Sequence, residues 1–174
     1  MKKKIFKWGI YSIVFFLVIL LGTFSFKRIR EKKTIEKNIQ TLHGFCAFSI
    51  GDNREFCTES LSNKPIIILF MNPECDFCQE EIKQIKKDQT RLKDVSVLLV
   101  THTSLQQAID FYSTQNLSLF DNIRLLSDED IKIYNQFDIK TIPTIFIYDK
   151  NKKLIFTHKG EIKIEALTRY FAEE

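Results

Sequence analysis

Two cysteines separated by two residues, Cys75 and Cys78, are the side chains in this sequence best suited to covalent chemistry. They follow an apolar run and precede a stretch with helical spacing, which places Cys75 at the N-terminus of a helix. Unpaired backbone N–H groups and the helix dipole favour a thiolate there, and the thiolate is the nucleophile in disulfide exchange. Cys78 follows one turn later on the same face. The pattern predicts a redox-active dithiol in which Cys75 attacks and Cys78 resolves the mixed disulfide.

The alternatives for this pair are a structural zinc half-site and two inert core thiols. Zinc would need a second pair of ligands at close spacing. Cys46 and Cys57 stand eleven residues apart with no nearby pair of histidines, so we expect no metal, and the exchange chemistry calls for no cofactor. If the turn between Cys46 and Cys57 took four residues, they would come near disulfide range. We favour two buried or partly buried thiols there over a structural disulfide, and a second redox pair is the third alternative.

Alternating strands and helices must position the dithiol. The apolar run at 66–71 and the sequence VSVLLV at 95–100 are typical of strands buried on both faces. Periodicity predicts helices over 79–92, 105–115, 128–137 and 162–171, a hairpin of strands at 45–50 and 55–58, and strands at 144–148 and 154–157. The order β-β-β-α-β-α-α-β-β-α predicts one layered α/β domain, with parallel strands joined by crossovers and an antiparallel pair at the end.

The block IIILFMNPECDFCQEEI and the later segment KTIPTIFIYD resemble the two signature motifs of the thioredoxin-like superfamily. The stretch before the block, residues 48–65, is similar to the hairpin of the membrane-anchored TlpA/ResA-like branch. The resemblance extends from about Phe45 to the end of the chain. It implies a thioredoxin-like fold, with a mixed central sheet flanked by helices. It also implies a thiol–disulfide oxidoreductase that acts on disulfide-containing proteins and is recharged by an upstream thiol electron donor.

The resemblance assigns roles to three more residues. Pro143 matches the proline whose preceding peptide bond is cis and which packs beside the cysteines, and cis bonds are essentially restricted to proline. Ile142 matches the residue whose backbone hydrogen-bonds an extended substrate segment. Glu81 matches a glutamate that helps proton transfer beside the cysteines. The alternative for Pro143 is a trans-proline that opens a strand, and the alternative for Glu81 is a solvated carboxylate on the helix surface.

Several positions depart from the family pattern. Leu69 stands where thioredoxin has a buried aspartate, Glu74 replaces the usual tryptophan, and Asp76-Phe77 replaces the common x-Pro dipeptide. Carboxylates at 74, 76, 80 and 81 disfavour a nearby thiolate by charge repulsion. We therefore expect a reductant rather than a strong oxidant.

Two other functions fit the same fold: a thiol peroxidase of the peroxiredoxin type and a non-catalytic binding module. The peroxidase pattern P-x-x-x-[ST]-x-x-C would need proline and Ser/Thr where the sequence has Ile68 and Asn72. A copper-delivery relative would have C-x-x-x-C spacing. A binding module should have lost a cysteine or the proline, and this chain keeps all three.

The first 33 residues differ in composition from the rest. They hold nine Lys/Arg and one Glu, whereas the remaining 141 residues hold 17 Lys/Arg and 21 Asp/Glu. The balance of −4 in this second part argues against a basic nucleic-acid-binding body. Trp8 to Phe26 is a run of 19 residues without a charge, about 28 Å long as a helix. We predict a transmembrane helix over 8–26 after a basic flank at 1–7; a cleaved signal peptide and a buried core helix are the alternatives.

A charged tether at 27–44 leads from this anchor to the thioredoxin-like domain at 45–174. Both flanks of the apolar run are basic, so the positive-inside rule gives no orientation. Disulfide exchange on secreted substrates has its use outside the cytoplasm, where disulfides persist. We therefore expect a single-pass protein of the cell membrane with its C-terminal domain on the extracytoplasmic (periplasmic) side.

Overall fold

The computed structural model describes residues 16–17, 19–24, 26–27, 30, 37–61 and 63–171. The chain divides into two units, Met1–Lys37 and Asn38–Glu174. In the first unit the described residues from 16 to 30 are helical. No helix within the described ranges is long and apolar enough to cross a membrane. Residues 8–15, 18 and 25 of the predicted span, and the predicted basic flank at 1–7, lie outside those ranges.

A seven-stranded sheet in the order β2-β1-β5-β4-β3-β6-β7 is the frame of the second unit. Its strands are β1 (Cys46–Ser49), β2 (Arg54–Cys57), β3 (Ile66–Phe70), β4 (Ser96–Thr101), β5 (Ile123–Ser127), β6 (Thr144–Tyr148) and β7 (Leu154–Lys159). Strands β3, β4 and β5 run parallel, and the other pairs are antiparallel. The predicted mixed α/β sheet is confirmed, and the carboxyl ends of β3, β4 and β5 meet at one edge.

The sequence pattern misses β5, which joins the N-terminal hairpin to the parallel strands. Arg124 interrupts its short apolar run, and a charge inside a strand weakens the periodic signal. In the fold, the Arg124 guanidinium lies 4.9 Å from the centre of the Phe56 ring and its Nε is 3.4 Å from the Asp52 carboxylate. The tertiary neighbours of this residue therefore make the strand possible.

Five helices pack around the sheet: α1 (Asp76–Lys87), α2 (Gln89–Leu92), α3 (Leu105–Thr114), α4 (Lys132–Gln136) and α5 (Ile164–Thr168), with short 3-10 turns at Thr58–Ser60, Leu117–Leu119 and Arg169–Phe171. The predicted start of α3 is confirmed, since the Ser104 side chain accepts a hydrogen bond from the Gln107 N–H. The helix predicted over 79–92 is wrong as one element because it is interrupted at Asp88. The helices predicted over 128–137 and 162–171 are shorter in the structure.

The core has two faces because alternate residues of β3 point to opposite sides of the sheet. Ile67 and Leu69 pack with α1, in a cluster that includes Cys78 and Ile82. Ile66, Ile68 and Phe70 pack on the other face with side chains that include Tyr134. All five β3 residues are buried, as predicted.

Residues before β1 also join this unit. Leu42 is buried, and its N–H donates to the Lys152 carbonyl at 2.8 Å. The Leu154 N–H donates to the Gln40 carbonyl at 2.8 Å. The segment before the hairpin is thereby held against the start of β7.

Candidate active site

The loop between β3 and α1 presents the first cysteine. The Asn72 side chain accepts from the Glu74 N–H at 2.8 Å, and its carbonyl accepts from the Cys75 N–H at 3.1 Å. The Gln79 side chain reaches back to the Pro73 carbonyl at 2.6 Å. These bonds form a tight turn that sets Cys75 at the N-cap of α1, as the sequence predicts.

The two cysteine sulfurs lie 2.6 Å apart. The Sγ of Cys75 accepts from the backbone N–H of Cys78 at 3.3 Å, so it occupies the capping position of the helix. Cys75 is partly exposed, whereas Cys78 is fully buried. Only Cys75 therefore offers its sulfur to a disulfide arriving from solvent.

Cys78 is held in its protonated form. Burial, first of all, and then the hydrogen bond to Cys75 raise the pKa of the Cys78 thiol to about 12. The charges of Cys75 and Glu81 act in the same direction, and the backbone of Asn72 acts against them. Cys78 must therefore lose a proton before it can attack.

Glu81, one turn after Cys78, is 1% exposed. Its carboxylate oxygens make no standard hydrogen bond to any described residue. Burial and, second, the charge of Glu161 raise the pKa of Glu81 to about 8, while the nearby backbone N–H of Ile162 lowers it. The alternative of a solvated helix carboxylate is wrong. A carboxyl group that titrates near neutral pH can take up and release a proton beside the cysteines.

The peptide bond between Ile142 and Pro143 is cis, as predicted. Thr144 opens β6 directly opposite Phe70 of β3, so the preceding residue, Pro143, adjoins the loop that leads to Cys75. Pro143 is buried and Ile142 is partly buried. Ile142 stands outside the β6 ladder, and its backbone makes no hydrogen bond with another described residue. Its N–H and carbonyl are therefore unpaired within the described residues.

Two buried polar residues at the same edge have no counterpart in the sequence prediction. The Asp128 carboxylate accepts from the N–H groups of Ile133 and Tyr134 at 3.1 and 2.9 Å. The Tyr134 hydroxyl lies 2.8 Å from the Met71 carbonyl oxygen and 3.2 Å from that of Val100. An aspartate shortly before a brief helical stretch could have indicated the cap; nothing in the sequence indicates the tyrosine contact.

Exposed carboxylates surround the entrance to Cys75. Glu74, Asp76 and Glu80 are exposed. Glu74, at the position where the family has tryptophan, accepts from the Gln107 side chain of α3 at 3.3 Å. Leu69, in place of the family's aspartate, is fully buried in the apolar core. Glu81 is therefore the buried carboxyl group next to the dithiol.

The hairpin cysteines form a disulfide, so the prediction of two free thiols is wrong. The turn takes four residues and pairs Cys46 directly with Cys57, with Cα atoms 4.1 Å apart. Both sulfurs and the Glu59 carboxylate lie within 4.8 Å of one another, the one such group of potential metal ligands in the described ranges. With the sulfurs bonded to each other, they are not available as thiolate ligands.

A family model describes most of this domain. The model of the AhpC/TSA family matches residues 43–157. No curated protein matches the chain at a significant level.

Solved structures share the fold. One is a secreted Mycobacterium tuberculosis disulfide oxidoreductase homologous to Escherichia coli DsbE, with 20% identity, a TM-score of 0.64, and coverage of 79% of this chain and 98% of that one. StoA from Bacillus subtilis has 20% identity, a TM-score of 0.60, and coverage of 75% and 98%. Peroxidoxin BcpB from M. tuberculosis has 16% identity, a TM-score of 0.62, and coverage of 75% and 90%. At these identities the likeness concerns the fold, and the predicted thioredoxin-like fold is confirmed.

Proposed function

The chain belongs to the AhpC/TSA family, and we propose that it is a membrane-anchored thiol–disulfide oxidoreductase that reduces disulfides in extracytoplasmic proteins. The observation that carries the proposal is the Cys75–Cys78 pair at the start of α1, with sulfurs 2.6 Å apart at the same sheet edge as a cis-proline loop. A partly exposed sulfur beside a fully buried one suits an attacking and a resolving thiol.

Catalysis begins when the Cys75 thiolate attacks one sulfur of a substrate disulfide. A bond forms between Cys75 and that sulfur, and the other substrate sulfur leaves as a thiolate with the electron pair of the broken bond. Cys78 then loses its proton, attacks the Cys75 sulfur and releases the second substrate thiolate. The protein dithiol becomes a disulfide while the substrate gains two electrons, so an upstream thiol donor must return two electrons before the next turnover.

Glu81 is the proton acceptor for the second step. With its pKa raised to about 8 by burial, it exchanges its proton close to neutral pH. It lies one helical turn from Cys78, and its charge acts on the Cys78 thiol. Its ionised form is a base among the buried residues of α1, which also include Cys78, Ile82 and Ile85.

Ile142 and Pro143 form the substrate-binding side of the site. The open backbone groups of Ile142 can pair with an extended substrate segment, in the manner of strand addition. The pairing of Thr144 with Phe70 holds this loop at the sheet edge from which Cys75 emerges. A segment bound there would bring its disulfide towards the Cys75 sulfur.

The location outside the cytoplasm rests on two observations. The charge-free run from Trp8 to Phe26 is long enough for one membrane-spanning helix. The Cys46–Cys57 disulfide suits an oxidising compartment, because disulfides are rare in proteins of a reducing cytosol. The first supports an anchor at the N-terminus, and the second supports a C-terminal domain on the extracytoplasmic side.

Trapping tests the reaction. In Cys78→Ser, Cys75 should capture substrates as mixed disulfides that persist on non-reducing gels and disappear on reduction. The matched control is the double variant Cys75→Ser/Cys78→Ser, which should capture nothing. Equal capture by the two variants would contradict the proposed roles.

Labelling tests the location. In intact cells, a membrane-impermeant maleimide should reach a single cysteine placed at position 174 in a chain whose own four cysteines are serine. The same cysteine placed at position 3 should be labelled only after lysis. The reverse pattern would exclude the proposed orientation, and a mature protein lacking the first 26 residues would exclude the anchor.

The family and the likeness to a peroxidoxin make thiol peroxidase the second candidate function. The two positions where the peroxidase pattern needs proline and Ser/Thr argue against it. Ile68 is buried within β3, and the side-chain oxygen of Asn72 accepts a hydrogen bond within the turn before Cys75. The reduced chain should therefore consume hydrogen peroxide no faster than its Cys75→Ser variant. Insulin reduction by the wild type, absent in Cys75→Ser, would separate an oxidoreductase from a binding module.

A further inference from the structure

Tyr134 of α4 contacts the backbone at the carboxyl ends of β3 and β4, next to the loop that leads to Cys75. The residue is 8% exposed, and its hydroxyl donates to the Met71 carbonyl at 2.8 Å. The Val100 carbonyl, 3.2 Å from the hydroxyl, also accepts from the Met71 N–H at 2.9 Å. Burial raises the pKa of Tyr134, so the phenol remains a donor throughout the neutral range. Both backbone groups of Met71 are therefore fixed.

The Met71 carbonyl and the Asn72 N–H belong to one peptide unit. A trans peptide is planar, and its C=O and N–H point in opposite directions. The cis bond in the described part of the chain is the one at Pro143, so this unit is trans. With the carbonyl directed at Tyr134, the N–H is directed away from it, and the Asn72 backbone stabilises the charged form of Cys78 as an N–H donor does.

We propose that Tyr134 is a positioning residue for Cys78: its hydroxyl orients the peptide between Met71 and Asn72 so that the Asn72 N–H stabilises the resolving thiolate. This inference rests on the proposed function for its role in turnover. A hydrogen bond at the carbonyl also polarises the peptide and strengthens the N–H as a donor. The step it assists is the second one, in which Cys78 loses its proton and attacks the Cys75 sulfur.

Other ionisable groups lie near Cys78 or near Tyr134. Cys75 and Glu81 face Cys78 from its own helix. Asp128 lies beside Tyr134, and the His102 ring contacts the Tyr134 ring at 4.7 Å. The test must therefore remove the hydroxyl alone. Tyr134→Phe does so, because it keeps the ring that packs on Phe70 at 5.1 Å.

Tyr148 offers a matched control. It is also buried, and its hydroxyl donates to the Ile39 carbonyl at 3.0 Å. It pairs with Ile66 at the opposite end of β3 from the dithiol. Tyr148→Phe loses the same group at the end of β3 that lies away from Cys78.

The first measurement does not depend on catalysis. In full-length chains carrying Cys75→Ser, Cys78 is equally buried with tyrosine or phenylalanine at position 134, so a difference in the rate at which iodoacetamide alkylates it at pH 8 reports a difference in its thiolate fraction. Adding Tyr134→Phe should lower this rate about fivefold, which corresponds to one hydrogen bond of about 1 kcal/mol. Adding Tyr148→Phe should leave it unchanged. An equal rate with and without the Tyr134 hydroxyl would overturn the proposal.

The second measurement follows the two catalytic steps separately. Formation of the mixed disulfide, measured in the Cys78→Ser background, should be the same with Tyr134 and with phenylalanine. Resolution of the mixed disulfide, measured with both cysteines present, should slow about fivefold. Equal slowing of both steps would indicate general disruption and overturn the proposal. If alkylation falls as expected but no mixed disulfide forms in any chain, the proposed function fails while the role of Tyr134 stands.

Discussion

Phe70 of β3 and Thr144 of β6 are paired directly across the sheet. Each stands at the sheet edge next to a loop of the candidate site: Phe70 is followed by the turn that leads to Cys75, and Thr144 is preceded by the cis-proline. The two loops therefore leave neighbouring strands side by side. A site assembled on paired strand ends is held by the hydrogen-bond ladder rather than by the loops themselves.

Glu81→Gln should change how stability depends on pH. The native pKa of about 8 lies above the unfolded value of 4.5, so the native state binds the extra proton between these pH values. Stability is therefore highest at low pH and falls as pH rises through this window, by up to about 1.4 kcal/mol per unit. The variant lacks the carboxyl group and should lose this slope. Between pH 5.5 and 7.5 the free energy of unfolding, measured with urea, should therefore fall by roughly 2 kcal/mol more in the wild type than in the variant.

Glu80→Gln is the control for that slope. Glu80 is the neighbouring residue on α1, but it is exposed and pairs with Lys83 at 3.2 Å on the surface. Its removal should leave the pH dependence of unfolding as in the wild type. If the two variants gave the same pH dependence, Glu81 would not titrate as a buried group.

Glu161→Gln should lower the pKa of Glu81. Glu161 is exposed in the segment between β7 and α5, and its negative charge disfavours ionisation of the buried carboxyl. Carbon-detected NMR titration of the Glu81 carboxyl should show the midpoint move down in this variant. Glu165→Gln, which removes an exposed charge from the first turn of α5, should leave the midpoint in place. If the midpoint did not move in Glu161→Gln, the charge of Glu161 would not contribute to the raised pKa of Glu81, and burial alone would account for it.

The fold was predictable wherever one strand or helix carries its own signal. β3 is an unbroken apolar run, and α3 begins at a serine that caps it. β5 was not predictable in this way, because Arg124 fits its strand only through Asp52 and the Phe56 ring. Those neighbours belong to the hairpin some seventy residues earlier, and local periodicity contains no information about them.

In the candidate site, too, the predictable residues are those with a local signal, and the others depend on contacts with distant residues. Spacing finds Cys75 and Cys78, and family resemblance finds Pro143 and Glu81. Tyr134 escapes both, since its contact with Met71 joins residues 63 positions apart. For Cys46 the spacing left the pairing open, because the state of the sulfur depends on the strand register, which the four-residue turn determines.

Asp128→Ala should destabilise the fold by about 3–6 kcal/mol. The variant removes a buried carboxylate that accepts two backbone hydrogen bonds at the start of α4, and bonds to a charged acceptor contribute about 1.5–3 kcal/mol each. Urea unfolding measures the loss. Asp130→Ala is the matched control, because Asp130 is exposed and pairs with Lys132 at the surface; it should leave the free energy of unfolding close to that of the wild type. Equal losses in the two variants would contradict a capping role for Asp128.

The hairpin disulfide and the dithiol should separate stability from chemistry. Replacing Cys46 and Cys57 together by serine frees a loop with a sequence separation of 11 residues, which should cost about 3 kcal/mol of unfolding free energy by the loop-entropy relation. Insulin reduction by this variant should match the wild type at temperatures where it remains folded. Cys75→Ser should show the opposite pattern, with insulin reduction abolished and the free energy of unfolding nearly unchanged. Cys75 is partly exposed at the N-cap of α1, and the serine oxygen can accept the capping hydrogen bond in place of the sulfur. A folded hairpin variant that had lost insulin reduction would place Cys46 and Cys57 in the electron path and exclude a mechanism based on Cys75 and Cys78 alone.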